Sequence, residues 1–258
     1  MIDIKYFKEY RLKLGFNNQN GVKNFFGAKD ITPTVDYDYI KLLNSRLVDI
    51  VKKMNLVVND EIRLQDLDLF IEKNIFQVFT KLKYYSIINK LNNQGRRPEE
   101  VYFSWMRGFV ISSYFLKPIS LIFGVDEESI SLVGDDDFNS VETFKRTPKA
   151  DLEIVLENKK KVRVEVQSGF QGINDIKQHK VLEAKKINRE IGFLSVVIHF
   201  DLFNGQVAFV QIDNISDEDI NWITRQQMEG QTVFNIDQNY FIWKLTDPLP
   251  QITDFLSY

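Results

Sequence analysis

Residues 148–172 read PKADLEIVLENKKKVRVEVQSGFQG, and two apolar runs within them alternate with polar residues. Alternation with a period of two is the mark of a strand, because successive side chains point to opposite faces. The polar ENKKK between the runs is a hairpin tip, so the two strands pair antiparallel through a turn near Asn158. In VRVEVQ, Val162, Val164 and Val166 share one face, while Arg163, Glu165 and Gln167 share the other. In ADLEIVLE, Asp151, Glu153 and Val155 lie on one face and Leu152, Ile154 and Leu156 on the other. Pairing through the tip brings Asp151 towards Glu165 and Gln167 at the open end of the hairpin. Two carboxylates converging there repel each other unless a cation sits between them. The chain has no cysteine and two histidines, so an oxygen-rich site suited to Mg²⁺ is expected. Such an ion, with positions open to water and phosphate, serves phosphoryl transfer.

Working outward, the chain before residue 95 reads as helical. DYIKLLNSRLVDIVKKMN spaces Ile40, Leu43, Leu47, Ile50, Val51 and Met54 by helical turns, and a longer pattern from residue 64 runs towards Gly95. In RRPEE a proline followed by acids marks a new helix start, with the helix running towards Pro118. After Gly124 the texture changes to strands: SISLVG, the two hairpin runs, FLSVVIHFD, QVAFVQID and NYFIWKL. INDIKQHKVLEAKKINRE reads as a helix, and SDEDINWITRQQ as another capped by Ser216. The expected fold is α/β, a mixed central sheet flanked by helices, with a mainly helical N-terminal half. Residues 1–95 form the helical region and 96–258 the sheet-containing core, without repeats or low-complexity linkers.

The 258 residues are 44% hydrophobic and 27% charged, ordinary for a globular chain with a substantial core. The absence of cysteine excludes disulfides, thiolate metal sites and cysteine nucleophiles. No apolar signal segment opens the chain, and its most apolar stretch is interrupted by Lys117 and Pro118. A cytoplasmic location is expected. The net charge is −3, but unevenly spread: residues 1–95 carry 15 Lys and Arg against 11 Asp and Glu, the rest 18 against 25. A basic first half is expected to face phosphates while carboxylates gather elsewhere to hold cations, with most of these charges reading plainly as solvated surface.

Pro148, Lys149, Ala150 and Asp151, followed by Glu165-Val166-Gln167, resemble the signature of the PD-(D/E)xK nuclease superfamily. In that pattern a proline-acid element begins one strand, an acid-x-lysine element lies on the next, and a helix follows. By element order the likeness covers about residues 100–245, although three residues carry the signature. It implies a restriction-endonuclease-like core, Asp151 and Glu165 as Mg²⁺ ligands with the carbonyl of Val166 as a third, and Gln167 positioning the attacking water. The chain departs from the pattern in two places. An alanine displaces the proline element, and Gln167 stands where the superfamily has lysine, as in some restriction endonucleases. Glutamine carries no charge, so Lys149, Lys177 or Lys180 is expected to supply it.

Around this centre, Glu153 is a candidate supporting acid on the face of Asp151, and Gln178 resembles a helix glutamine that some branches place beside the site. Lys145, Arg146 and Lys149 are candidates for the DNA backbone. Asp135, Asp136 and Asp137 read first as a solvated loop, with Glu100 a weaker candidate ligand; His179 and His199 read as surface and sheet residues. Glu165 also has a plain alternative, an ion pair with Arg163 or Lys161.

The resemblance implies a type II restriction endonuclease that cuts double-stranded DNA at a short sequence, acts as a homodimer and is paired with a DNA methyltransferase. A helical face including Tyr84 and Tyr85 is expected at the dimer contact. The alternatives are a structure-specific repair or recombination nuclease of the same fold, and an inactive DNA-binding module.

Overall fold

The alternation in residues 161–169 becomes the strand on which the core is organised. The computed structural model describes residues 4–16, 18–91, 96–132, 152–226 and 230–256. Strands β1 (Ile130–Leu132), β2 (Leu152–Val155), β3 (Lys161–Gly169), β5 (Leu194–Asp201), β6 (Gln206–Gln211) and β9 (Phe241–Lys244) form a six-stranded sheet in the order β1-β2-β3-β5-β6-β9. Only β3 and β5 pair parallel within it. Their crossover contains α8 (Gln178–Ile191), the helix expected after the hairpin. The hairpin closes as its sequence implies: Val155 pairs with Lys161 and Leu152 with Val164, around a tip in which Lys159 takes a φ of 64°.

Each face of the sheet buries against a different layer. Val162 and Val164 of β3, Val196, Ile198 and Phe200 of β5, and Leu152 and Ile154 of β2 pack against the helical side. That side is built from α3 (Tyr37–Val57), α4 (Leu67–Ile71), α5 (Val78–Tyr84), α6 (Pro98–Tyr114) and α7 (Leu116–Phe123). Phe115, between α6 and α7, stacks on Phe200 with ring centroids 4.1 Å apart. On the opposite face, Val197, Ala208 and Val210 meet Val181 and Ala184 of α8 and Ile176 and Phe234 of a second sheet. That sheet is antiparallel, in the order β4-β8-β7, from β4 (Asp175–Lys177), β7 (Trp222–Arg225) and β8 (Gln231–Asn235). With both faces covered, β5 is buried almost throughout. No residue of α1 (Ile4–Leu14) or α2 (Gln19–Phe26) is buried.

The α/β class and the mixed sheet with flanking helices agree with the sequence reading; four local expectations do not. Where SDEDINWITRQQ reads as helical, residues 216–225 form turns followed by β7. Ser216 Oγ accepts from the nearby Glu218 N–H, and Trp222 and Ile223 pair across to Phe234 and Val233. The expected helix from Ile173 begins only at Gln178, because residues 175–177 are drawn out as β4 beside β8. The pattern running to Gly95 leaves regular helix at Tyr84, where Ser86 then takes a φ of 54°. Pro118 does not end a helix: it lies in the first turn of α7, where a missing N–H costs nothing. Among the described residues no helix is long and apolar enough to cross a membrane.

Candidate functional site

β3 carries Glu165 and Gln167 two residues apart, on the face that α8 covers. Glu165 is a half-buried carboxylate and forms an ion pair with Lys180 from the first turn of α8. The Gln167 amide donates to the same carboxylate, Nε2 to Oε1 at 3.3 Å. With its N–H₂ turned towards Glu165, Gln167 has its carbonyl oxygen as the remaining acceptor. Carboxylate, amide and ammonium therefore meet on one side of the sheet. The plain alternative for Glu165 is not what forms: Lys161 and Arg163 instead flank Glu153, at 2.9 and 3.7 Å. Glu153 is thus neutralised nearer the hairpin tip, opposite Arg163 in the register.

Asp151 lies outside the described residues, as do Lys145, Arg146, Lys149 and the acids at 135–137. Leu152 is described and pairs with Val164, the residue before Glu165. Val166 turns its side chain into the helical core, opposite to Glu165. Gln178 is exposed at the start of α8 and makes no hydrogen bond with Glu165 or Gln167; Lys180, two residues on, takes the place beside the acid. Lys177 belongs to β4, Glu100 is exposed, and His179 is exposed. Among the described residues no three acids or histidines gather as a metal-ligand set.

The parallel register sets His199 directly opposite Gln167 and Asp201 opposite Gly169. His199 is buried, with Nε2 2.7 Å from Asn174 Oδ1 and no partner for Nδ1 among the described residues. Burial pushes its imidazole pKa down, against the opposing pull of Asp201 and Asp175. A Cβ on Gly169 would come within 3.2 Å of the imidazole, so the glycine makes room for the ring. Asp201 is fully buried. Burial would raise its pKa, but bonds from Asn204, Gln206 and the Phe203 N–H outweigh this and hold the acid below its usual value. It fastens the β5–β6 turn. Asp175 takes a two-pronged bond from Arg225, at 2.8 and 3.0 Å, and a third from Asn235.

Sequence reasoning named Glu165, Gln167 and Lys180 but missed the His199–Asn174 pair beside them. The alternation shows that His199 and Asp201 share a face of their strand. Their pairing with Gln167 and Gly169 depends on a parallel register that no turn fixes. No family model, curated protein or solved structure matches the chain.

Proposed function

We propose that the chain is a Mg²⁺-dependent endodeoxyribonuclease of the type II restriction kind, with Asp151, Glu165, Gln167 and Lys180 at its centre. The observation that carries this reading is the junction of β2, β3 and α8. Leu152, at the start of β2, pairs with Val164, the residue before Glu165, and Gln167 and Lys180 both contact that acid. A half-buried carboxylate with a second acid one residue beyond its neighbouring strand suits a hard cation with oxygen ligands. Asp151 and Glu165, with the Val166 carbonyl as the resemblance implies, are the residues that would hold Mg²⁺. Bound there, the ion would acidify a water and offset charge on the phosphate.

The chain's own residues do the rest. Gln167 accepts a hydrogen bond from a water through its carbonyl oxygen and so orients that water's lone pair at phosphorus. The water oxygen forms the new P–O bond as the P–O bond to the departing sugar oxygen breaks, the water giving up a proton to solvent and the sugar oxygen leaving as a hydroxyl by taking one from solvent. Lys180 supplies the positive charge that glutamine lacks, opposing the negative charge that builds on the phosphate. Lys145, Arg146 and Lys149, just upstream of Asp151, are proposed to hold the DNA backbone. Cutting both strands of a palindrome calls for two such sites about a twofold axis, so the acting species is a homodimer. Tyr84 and Tyr85, 79% and 41% exposed, are offered as part of its contact, and a DNA methyltransferase is the companion enzyme.

The test is plasmid cleavage with Mg²⁺ by the wild type, Asp151→Asn and Glu165→Gln. Discrete fragments from the wild type alone are expected. General degradation or cutting of branched substrates alone would favour a repair nuclease, and binding without cleavage an inactive module. Near wild-type rates in both variants would end the assignment.

A further inference from the structure

On the other side of the sheet, α6 carries a cation that no carboxylate answers among the described residues. Arg107 is half-buried, and its guanidinium carbon lies 4.7 Å from the ring centroid of Phe170 and 5.8 Å from that of Phe103. Among the described residues it forms no ion pair and no hydrogen bond. Burial lowers its pKa, and repulsion from Arg96 adds to the effect. The two rings offset part of the lost hydration through cation–π attraction. A second guanidinium of the same sign works against them. An anion between the arginines would satisfy both, because guanidinium groups match the geometry of phosphate oxygens.

The next residue points the same way. Gly108 lies mid-helix, where glycine is a poor helix former compared with alanine. Among the described residues, and apart from its chain neighbours and the helix's own backbone, no atom lies within 4 Å of the Cβ that alanine would add. Packing among the described residues therefore gives no reason for the glycine. Bare backbone beside an uncompensated cation allows something outside the chain to come close. Phe170, 47% exposed, adds a ring face to the same place. It follows the last residue of β3 and is five residues beyond Glu165, a separation of at most about 17 Å along extended chain.

From these contacts we infer that Arg107 and Gly108, with Arg96 and Phe170, form a phosphate-backbone contact that seats a nucleic-acid strand a few nucleotides from the Glu165 site. The identity of the anion rests on the nucleic-acid reading above; the lack of a partner for Arg107 among the described residues does not.

Binding of a short labelled duplex to the full chain in EDTA tests this without involving metal or cleavage. Arg107→Gln should weaken binding about tenfold and flatten the slope of log affinity against log salt by about 1, with Arg107→Lys intermediate. Gly108→Ala should weaken binding while Tm stays level or rises. Wild-type affinity in both Arg107→Gln and Gly108→Ala would overturn the inference, as would failure of the wild type to bind duplex. So would a Gly108→Ala defect that appears only with a lowered Tm. A chain that binds in this Arg107-dependent way but never cuts retires the nuclease reading and keeps this contact. A chain that cuts, with both variants unimpaired in binding, does the reverse.

Discussion

Lys180 in the first turn of α8 forms an ion pair with Glu165 on β3, joining the helix to the strand at the one acid that also receives the Gln167 amide. The lysine is placed by the crossover and not by the strand. A cation can therefore reach this acid even though β3 carries the uncharged Gln167.

That placement makes Lys180 the proposed source of positive charge. Lys180→Gln should lower the rate of Mg²⁺-dependent cleavage by about a hundredfold while duplex binding persists, the scale set by removing one preorganised electrostatic contact. Lys180→Arg should recover part of the loss. Single-turnover cleavage beside anisotropy separates the two effects, and an unchanged rate in Lys180→Gln would remove the lysine from the mechanism.

The role proposed for Gln167 is water placement and not charge. Gln167→Ala should slow cleavage by about 10–100-fold, the penalty for losing alignment of a reactant. Gln167→Lys should be tolerated, since it restores the residue found in the motif that the chain resembles. If the alanine variant cuts as fast as the wild type, orientation of the water lies elsewhere.

The buried His199 predicts a pH dependence of stability. Its folded pKa lies below the unfolded value of about 6.5, so the unfolded chain binds more protons as the pH falls past that value. The contribution of the neutral imidazole is complete above about pH 6.5 and is lost on acidification towards the folded pKa. Tm measured from pH 7.5 downward should fall earlier in the wild type than in His199→Gln, which cannot titrate. Parallel curves for the two proteins would place the acid sensitivity in other groups.

The Phe115–Phe200 stack tests the packing of the helical layer on the sheet. Both rings are fully buried, so Phe115→Ala or Phe200→Ala should destabilise the fold by about 3–5 kcal/mol. A double-mutant cycle in denaturant should give a coupling of about 0.5–1.5 kcal/mol, as expected for stacked rings in contact. Additive losses would mean that the rings do not meet in solution.

Much of this architecture is legible in the order of residues. The alternation Val162, Val164, Val166 against Arg163, Glu165, Gln167 determines which side chains of β3 enter the helical core and which face α8, because a strand has period two. The short polar tip determines the hairpin register, since two antiparallel strands joined by a tight turn have little freedom to slip. Pro98 followed by two acids marks the start of α6 for an equally local reason. Tertiary structure decided the rest. Residues 222–225 and 175–177 are strands because each lies beside β8, and a three- or four-residue run has too little periodicity to announce that partner. His199 faces Gln167, and Lys180 reaches Glu165, through a parallel pairing and a helix crossing. Alternation and turn chemistry act between near neighbours in the chain. The position of α8 over β3 is set by burying Val181 and Ala184 against Val197, residues whose proximity exists only once the sheet has formed.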